Sequence, residues 1–410
     1  MGAINLDNTG SGGAVTLTSD GTSLLLGGSA VGGAPALYKD NASSATDPTA
    51  AGTNAVAIGS GAVAATNQSI ALGLNATVGT SIRGTALGFS ASATGNQATA
   101  ISDSVASGGN SFAAVADAVA SATDSIAIGR AATASSAYAT AIGKNSSDQG
   151  SVATSGTAAM ALGGSYASGA DSFAAAMTNN TSTYGATGAN SIAIGRRAKA
   201  AAQSAAMGYS ATADGAYALA LGVYAKASAS SSIAISGETS GYYTEALQNN
   251  SVAIGTRAKA AIRGKFVFAN GAFGDNGDAQ LGIFSLRSDT TDATAEALTT
   301  NKSTAGTTNQ IVLPNSSAYA FHGTIVARQK ASEGTASAAW KIEGLIRREA
   351  NAGTTVLVNS ATTVLDNTPS WGMALTANTS HGGLAITVTG AASTNIRWVA
   401  TINTSELIYA

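Results

Sequence analysis

A short phrase recurs between residues 54 and 255, and its spacing constrains this chain more than any other feature. It reads Asn54-Ala-Val-Ala-Ile-Gly59, Gln68-Ser-Ile-Ala-Leu-Gly73, Asp124-Ser-Ile-Ala-Ile-Gly129, Ala137-Tyr-Ala-Thr-Ala-Ile-Gly143, Asn190-Ser-Ile-Ala-Ile-Gly195 and Asn250-Ser-Val-Ala-Ile-Gly255. Its closing position falls at Gly59, Gly73, Gly88, Ser102, Ala116, Gly129, Gly143, Gly163, Met177, Gly195, Gly208, Gly222, Ser236 and Gly255, and most steps are 13 to 15 residues. A step of about 14 held over roughly 200 residues specifies a stack of equal turns, none able to bury a core alone.

Alternation within one phrase sends Ile126 and Ile128 to one side and Ala127 to the other. Both sides are apolar, so the strand is expected to be covered on both faces. Arg130 to Ser136 is a second strand-like run, with Ala at alternate positions and polar residues between. The intervening Gly supplies a corner that a side chain would obstruct. A coil of about 14 residues holds two strands and two corners, which predicts an all-β, flattened, two-sided β-roll of parallel stacked strands. One strand per coil then offers an apolar second face, and an apolar stripe of that length calls for partner chains. Parallel copies around a closed cyclic axis meet that need, and the small Ala faces let three thin rolls approach closely.

Composition excludes several classes. Charged residues are 10% and aromatics 5%, while Gly numbers 49 and hydrophobic residues reach 45% in fixed register, which argues against disorder. The net charge of -2 provides no basic field for nucleic acid. There is no cysteine, hence no disulfide framework or thiol chemistry. Residues 1–7 lack the charged start and apolar run of a signal peptide, and no apolar run is long enough to cross a membrane as a helix. No membrane insertion is expected.

Three steps are long, with the additional residues near Lys144 to Gln149, Thr178 to Thr183 and Gly237 to Tyr243. Insertions at one corner project from one side of a solenoid. The adjacent Tyr242 and Tyr243 are candidate receptor contacts. Upstream, Ala14 to Thr18 and Ser23 to Leu26 read as strands about a Ser19-Asp-Gly21 turn, and residues 1–50 as a cap or attachment segment. Gly32 to Ala51 reads as a loop.

The beat stops near Ala261, and residues 263–279 read as a neck. From 280 to 410 strands alternate with turns: Gln280 to Arg287, Gln310 to Leu313, Ala318 to Lys330, Ser337 to Arg348, Thr354 to Val358, Gly372 to Thr376, Gly383 to Val388 and Asn395 to Asn403. This predicts an antiparallel β-sandwich of jelly-roll-like kind. It contains Trp340, Trp371 and Trp398.

No nucleophile–base constellation stands out, so no catalytic residue and no cofactor is assigned. His322 and His381 are isolated; a threefold axis through either would triplicate it into a ligand set, but no metal residue is assigned. Hydrolysis of a polysaccharide would need two carboxylates across a groove. Asp103, Asp117, Asp124, Asp171 and Asp214 are sparse, and Asp124 and Asp171 hold the position before Ser that suits corner chemistry. Trp371, Asn378 and His381, in or beside a turn-rich stretch, are the candidate receptor-binding residues of the C-terminal region, with Tyr242 and Tyr243 those of the roll. Trp340 and Trp398 read as core.

The repeated Asn-Ser-Val/Ile-Ala-Ile-Gly phrase with its Ala-x-Ala run resembles the YadA-type head of trimeric autotransporter adhesins, over residues 51–262. That resemblance implies a left-handed parallel β-roll, a homotrimer and a surface-binding role. Ala318 to Gln329, Ser337 to Arg348 and Asn395 to Ala400 resemble the terminal domain of tail fibres from tailed bacteriophages, and Leu6 to Gly13 and Ser19 to Leu26 are similar to fibre sequence as well. This second resemblance implies a virion structural protein. The sequence shows no secretion signal, coiled-coil stalk or C-terminal anchor, so the expectation is a tail fibre rather than a self-exporting adhesin of the bacterial surface. Its expected partners are two further copies, a tail or baseplate protein at the N-terminus and a host glycan or protein at the C-terminus.

Overall fold

In the computed structural model the described residues are 46–80, 82–145, 148–176, 183–237, 242–367 and 371–409, together with the backbone of four short N-terminal strands. Two of those are the expected pair: Val15–Ser19 runs antiparallel to Leu24–Leu26, with Leu17 opposite Leu26. The expected loop from Gly32 lies outside the described residues as far as 45, and so do Met177 and parts of the three long corners, at 146–147, 177–182 and 238–241. The chain divides into two compact units, Met1–Gly164 and Ser165–Ala410.

Each unit contains two ladders of parallel strands. In the first unit, eight three-residue strands run from Val56–Ile58 to Met160–Leu162, and eight two-residue strands from Thr49–Ala50 to Val152–Ala153. The second unit has seven strands in each ladder among its described residues, two to five residues long, from Phe173–Ala175 to Phe266–Asn270 and from Tyr166–Ala167 to Lys259–Ala260. Stacking is in register: Ala113, Ala127 and Ala141 align on one ladder, and Ala120, Ala134 and Ala153 on the other. These alanines are fully buried. The interior is therefore almost wholly a layer of methyl groups, which sets the two ladders close together.

The outward side differs. Ile126 is 38% exposed while Ala127 beside it is 0% exposed, and Val56, Ile70, Met160 and Ile192 are exposed in the same way. The expectation of cover on both faces thus holds for one face only in a single chain. The apolar second face predicted from the phrase is open.

The phrase also explains its own corners. Gly129 has φ +117° and faces Gly143 of the next coil so closely that a Cβ would lie 3.0 Å from its Cα. At the other corner Asp124, Asn190 and Asn250 adopt left-handed φ of 55°, 54° and 58°, a conformation that Asn and Asp tolerate. The Ser that follows turns inward, and its hydroxyl donates three residues back: Ser125 to the Ala122 carbonyl, Ser191 to Gly188 and Ser251 to Gln248, each at 2.6 Å. The Asn-Ser pair is therefore a backbone turn followed by a satisfied buried polar group.

Stacking continues through Phe266–Asn270, inside the stretch expected as a neck; Val267 takes the inner place of Ala, opposite Ala253. The second unit then forms an antiparallel two-layer sandwich. Its strands are β1 (Ala279–Thr290), β2 (Ala295–Ala297), β3 (Ile311–Val312), β4 (Ser317–Gln329), β5 (Ser337–Arg348), β6 (Val356–Asn367), β7 (Gly372–Asn378), β8 (Gly383–Thr389) and β9 (Ile396–Ile408). The large sheet has the order β1-β9-β4-β5-β6. In the small sheet β8 pairs with β7 along one edge and with β2 and β3 along the other. Strict alternation sends Tyr319, Phe321, Ile325 and Ala327 of β4 inward, with Trp398, Ala400 and Ile402 of β9, to meet Leu384, Ile386 and Val388 of β8. β2 was not anticipated, and β6 extends nine residues past the expected Val358.

Where the last coil meets the sandwich lies a buried ionic network. Lys265, 3% exposed, donates to Glu406 at 2.6 Å; Gln280 and Thr404 also donate to that carboxylate, at 2.7 Å each. Burial pushes the nearby Tyr319 phenol well above its usual value, with the Glu406 charge adding to the shift.

Candidate functional site

Two groups of expected contact residues are set in different surroundings. On the coils, aromatic side chains emerge just after the glycine corners: Tyr209 follows Gly208, Tyr224 lies two residues past Gly222, and Tyr242 and Tyr243 end the third long corner. Because coils stack in register, these side chains form a ladder. Tyr209 and Tyr224 meet edge to face at 5.3 Å, and Tyr224 and Tyr243 at 5.5 Å. Cations lie over the faces: Arg196 is 5.5 Å from the Tyr209 ring centre, Lys226 5.6 Å from Tyr243 and Arg257 3.6 Å from Tyr242, which is 44% exposed. The hydrogen bond between the Tyr209 and Tyr224 hydroxyls holds Tyr209 below its usual value, aided by Arg197 and Arg196, and raises Tyr224. The arrangement offers ring edges, hydroxyls and positive charge to a ligand laid along the corner. The sequence singles out Tyr242 and Tyr243 but not Tyr209, Tyr224 and Arg196, which stacking brings to the same corner, although the aromatic just past the Gly is a visible signal.

The C-terminal candidates separate. Trp371 is 4% exposed and packs in the core, 5.7 Å from Trp398, which in turn stacks on Trp340 at 5.8 Å. Its expected place as a surface aromatic is corrected: the indole face is covered by another indole. Asn378 and His381 lie at the far end of β7, about 20 Å along the strand from Trp371. The Asn378 carbonyl oxygen accepts from the backbone N–H of Ser380 and of His381, at 3.1 and 3.0 Å, and its amide nitrogen donates to Gln310 at 2.9 Å and lies 3.1 Å from His381 Nδ1. Asn378 is thus the organiser of the β7–β8 turn, with His381 half-buried beside it. His322 is exposed on the outer face of β4, opposite Glu343 and Asn403. Among the described residues no three His, Asp or Glu side chains cluster as a metal site.

Seven stretches match the YadA head domain repeat (2 copies). They are 50–76, 80–101, 120–146, 186–205, 201–225, 213–235 and 240–261, all within the two-ladder coils. YadA head repeats imply trimeric assembly. No curated protein matches the chain. Among solved structures, the Acinetobacter phage vB_ApiP_P1 tailspike protein is similar at 12% identity and a TM-score of 0.17, over 87% of this chain and 59% of that one. The Acinetobacter baumannii phage AM24 tailspike protein is similar at 8% identity and a TM-score of 0.16, over 74% of this chain and 55% of the other. The chain therefore spans less than two thirds of either.

Proposed function

We propose that this protein is a homotrimeric tail fibre of a virion. In this reading the N-terminal segment docks on a tail or baseplate protein, the coils are a stiff spacer, and the C-terminal sandwich contacts a glycan on the host surface. One observation carries it. A stack whose outward ladder is apolar and open in the single chain precedes a sandwich with its own core and an outer face of mixed polar and apolar side chains. The first feature suits a self-assembled spacer and the second a presented contact surface. Antibody raised against residues 280–410 and viewed on particles by electron microscopy should decorate the distal tips of the tail fibres. Label confined to the bacterial envelope would favour the second reading, an adhesin head of the bacterial surface, which the YadA head repeats also support.

The role proposed is binding, not hydrolysis. The acids of the coils have structural duties: Asp124 accepts from the Asn110 side chain at 3.0 Å at its corner, Asp171 holds a left-handed corner at φ 52°, and Asp214 pairs with Lys199 at 2.8 Å. Purified protein should release no reducing ends from host surface polysaccharide; release would support a tailspike depolymerase instead.

A further inference from the structure

The large sheet carries an unexplained concentration of positive charge. β1 pairs with the last coil strand at Leu281 to Ile283 and then runs on to Thr290, so its C-terminal end lies away from that coil. There, between the ends of β1 and β4 and the start of β9, opens a cleft of about 530 Å³ lined by Asp289, Arg328, Lys330, Asn395 and Arg397 together with Thr290. That volume lies within the usual range of small-ligand sites, about 300–1,000 Å³.

The register places Arg328 directly opposite Arg397 across the β4–β9 pair. Like charges opposite one another on one face of an antiparallel pair repel, and a fold gains nothing from setting them so. Nearby acids do not relieve the pair. Asp289 faces Arg397 from β1 but is held by Lys302 at 2.5 Å. Glu333 pairs with Lys330 at 3.3 Å and also accepts from Asn395, through its side chain at 2.7 Å and its backbone N–H at 3.1 Å. Arg328 donates to the Thr335 carbonyl. Among the described residues neither guanidinium takes part in an ion pair. Two planar forks of donors, set opposite one another by the register and without an ion-pair partner, match the geometry of a carboxylate or phosphate.

We infer that this cleft binds an anionic group, a carboxylate or a phosphate, carried by an acidic surface polysaccharide, with Arg328 and Arg397 as its two forks. The inference rests on the receptor role proposed for the sandwich and names the ligand class that role would use. It differs from the sites anticipated in the sequence, because the register that opposes the arginines joins residues 69 positions apart.

Calorimetric titration of the full chain tests it with three probes: oligogalacturonate for carboxylate, a phosphorylated mannan oligosaccharide for phosphate, and a dextran oligosaccharide as neutral control. Binding of at least one anionic probe, weakening as salt rises, with none of dextran, is the expected result; which anionic probe binds identifies the source. Arg397→Ala should weaken that binding about tenfold to a hundredfold, and Arg397→Lys should fall between. The same Arg397→Ala chain should melt no lower than the parent, and up to about 2 °C higher, because a repulsion is removed. A merely structural arginine would instead lower the melting temperature. Equal binding of dextran, no binding of either anionic probe, or binding unchanged in Arg328→Ala/Arg397→Ala would overturn the inference. Labelled protein on host cells separates this failure from failure of the broader reading. If the double variant attaches as well as the parent, the cleft is wrong and the receptor role survives; if the parent itself does not attach, the receptor role fails.

Discussion

At Gly208 φ is +134°, and a Cβ there would sit 2.4 Å from the Gly222 carbonyl oxygen of the next coil. Both facts forbid a side chain, and neither neighbour can yield, because the contact is backbone on backbone. Gly208→Ala should destabilise the second unit by about 1–3 kcal/mol, read as a lower urea midpoint with unchanged slope. Lys265 and Glu406 make a different demand. Removing one of two buried charges strands the other, so Lys265→Ala should cost about 3–5 kcal/mol, whereas Lys265→Met with Glu406→Leu should cost far less. Comparing the single and double variants by denaturation measures the pair directly. Asp278 adds a pH dependence. Burial opposes its charge, but backbone N–H groups of Gly274, Asp275 and Phe273 donate to it at 2.6 to 2.9 Å and leave it below the usual carboxylate value. A depressed folded-state value stabilises the fold at neutral pH, and that contribution fades as pH falls below about 4. Asp278→Asn should lower the neutral-pH midpoint and flatten the acid limb of a stability-versus-pH curve.

Among the elements, the coil strands were legible because each position has one task repeated in every turn: Ala inside, Ile outside, Gly and Asn-Ser at the corners. Direction was the part that alternation left open. Ile126 and Ala127 are both apolar, and only the narrow spacing of the ladders decides that the smaller one goes in. Ala127→Leu should therefore overpack the interior and cost about 1–3 kcal/mol, while Ile126→Thr should scarcely change the unfolding midpoint of an isolated chain. β6 was legible only at its start. Its middle, Asn359-Ser-Ala-Thr-Thr363, is an edge strand exposed on both faces, so no inward set of residues announces it. Trp371 failed for the opposite reason: a turn-rich neighbourhood suggested a surface, but the strand that begins beside it carries the indole under β9. The Tyr209–Tyr224 contact and the Arg328–Arg397 pair depend on which turns or strands become neighbours, which spacing supplies for the coils and only folding supplies for the sandwich.

For the whole molecule, the open question raised by the fold is what covers the outward ladder. In the first unit Val56, Ile70, Ile126 and Met160 are exposed, and in the second Ile192, Leu221 and Phe268. Exposed aliphatic side chains in such numbers and in line are uncommon on a protein that works alone. A cyclic assembly buries the same residues of every copy at once, so one substitution acts three times in a trimer. Ile126→Asp with Ile192→Asp places one charge in each unit's ladder and touches neither the alanine interior nor the corners. The parent should sediment at three chain masses. The variant should sediment at one, with a far-ultraviolet circular dichroism spectrum that keeps its β signature, because the strands' hydrogen bonds lie within each chain. A variant that stayed trimeric would place the contact elsewhere and leave the ladder without its proposed cover. A parent that sedimented as a monomer would remove trimeric assembly from the account altogether. The stability of the parent should also rise with protein concentration, since association and folding are linked by mass action, and the double variant should lose that dependence.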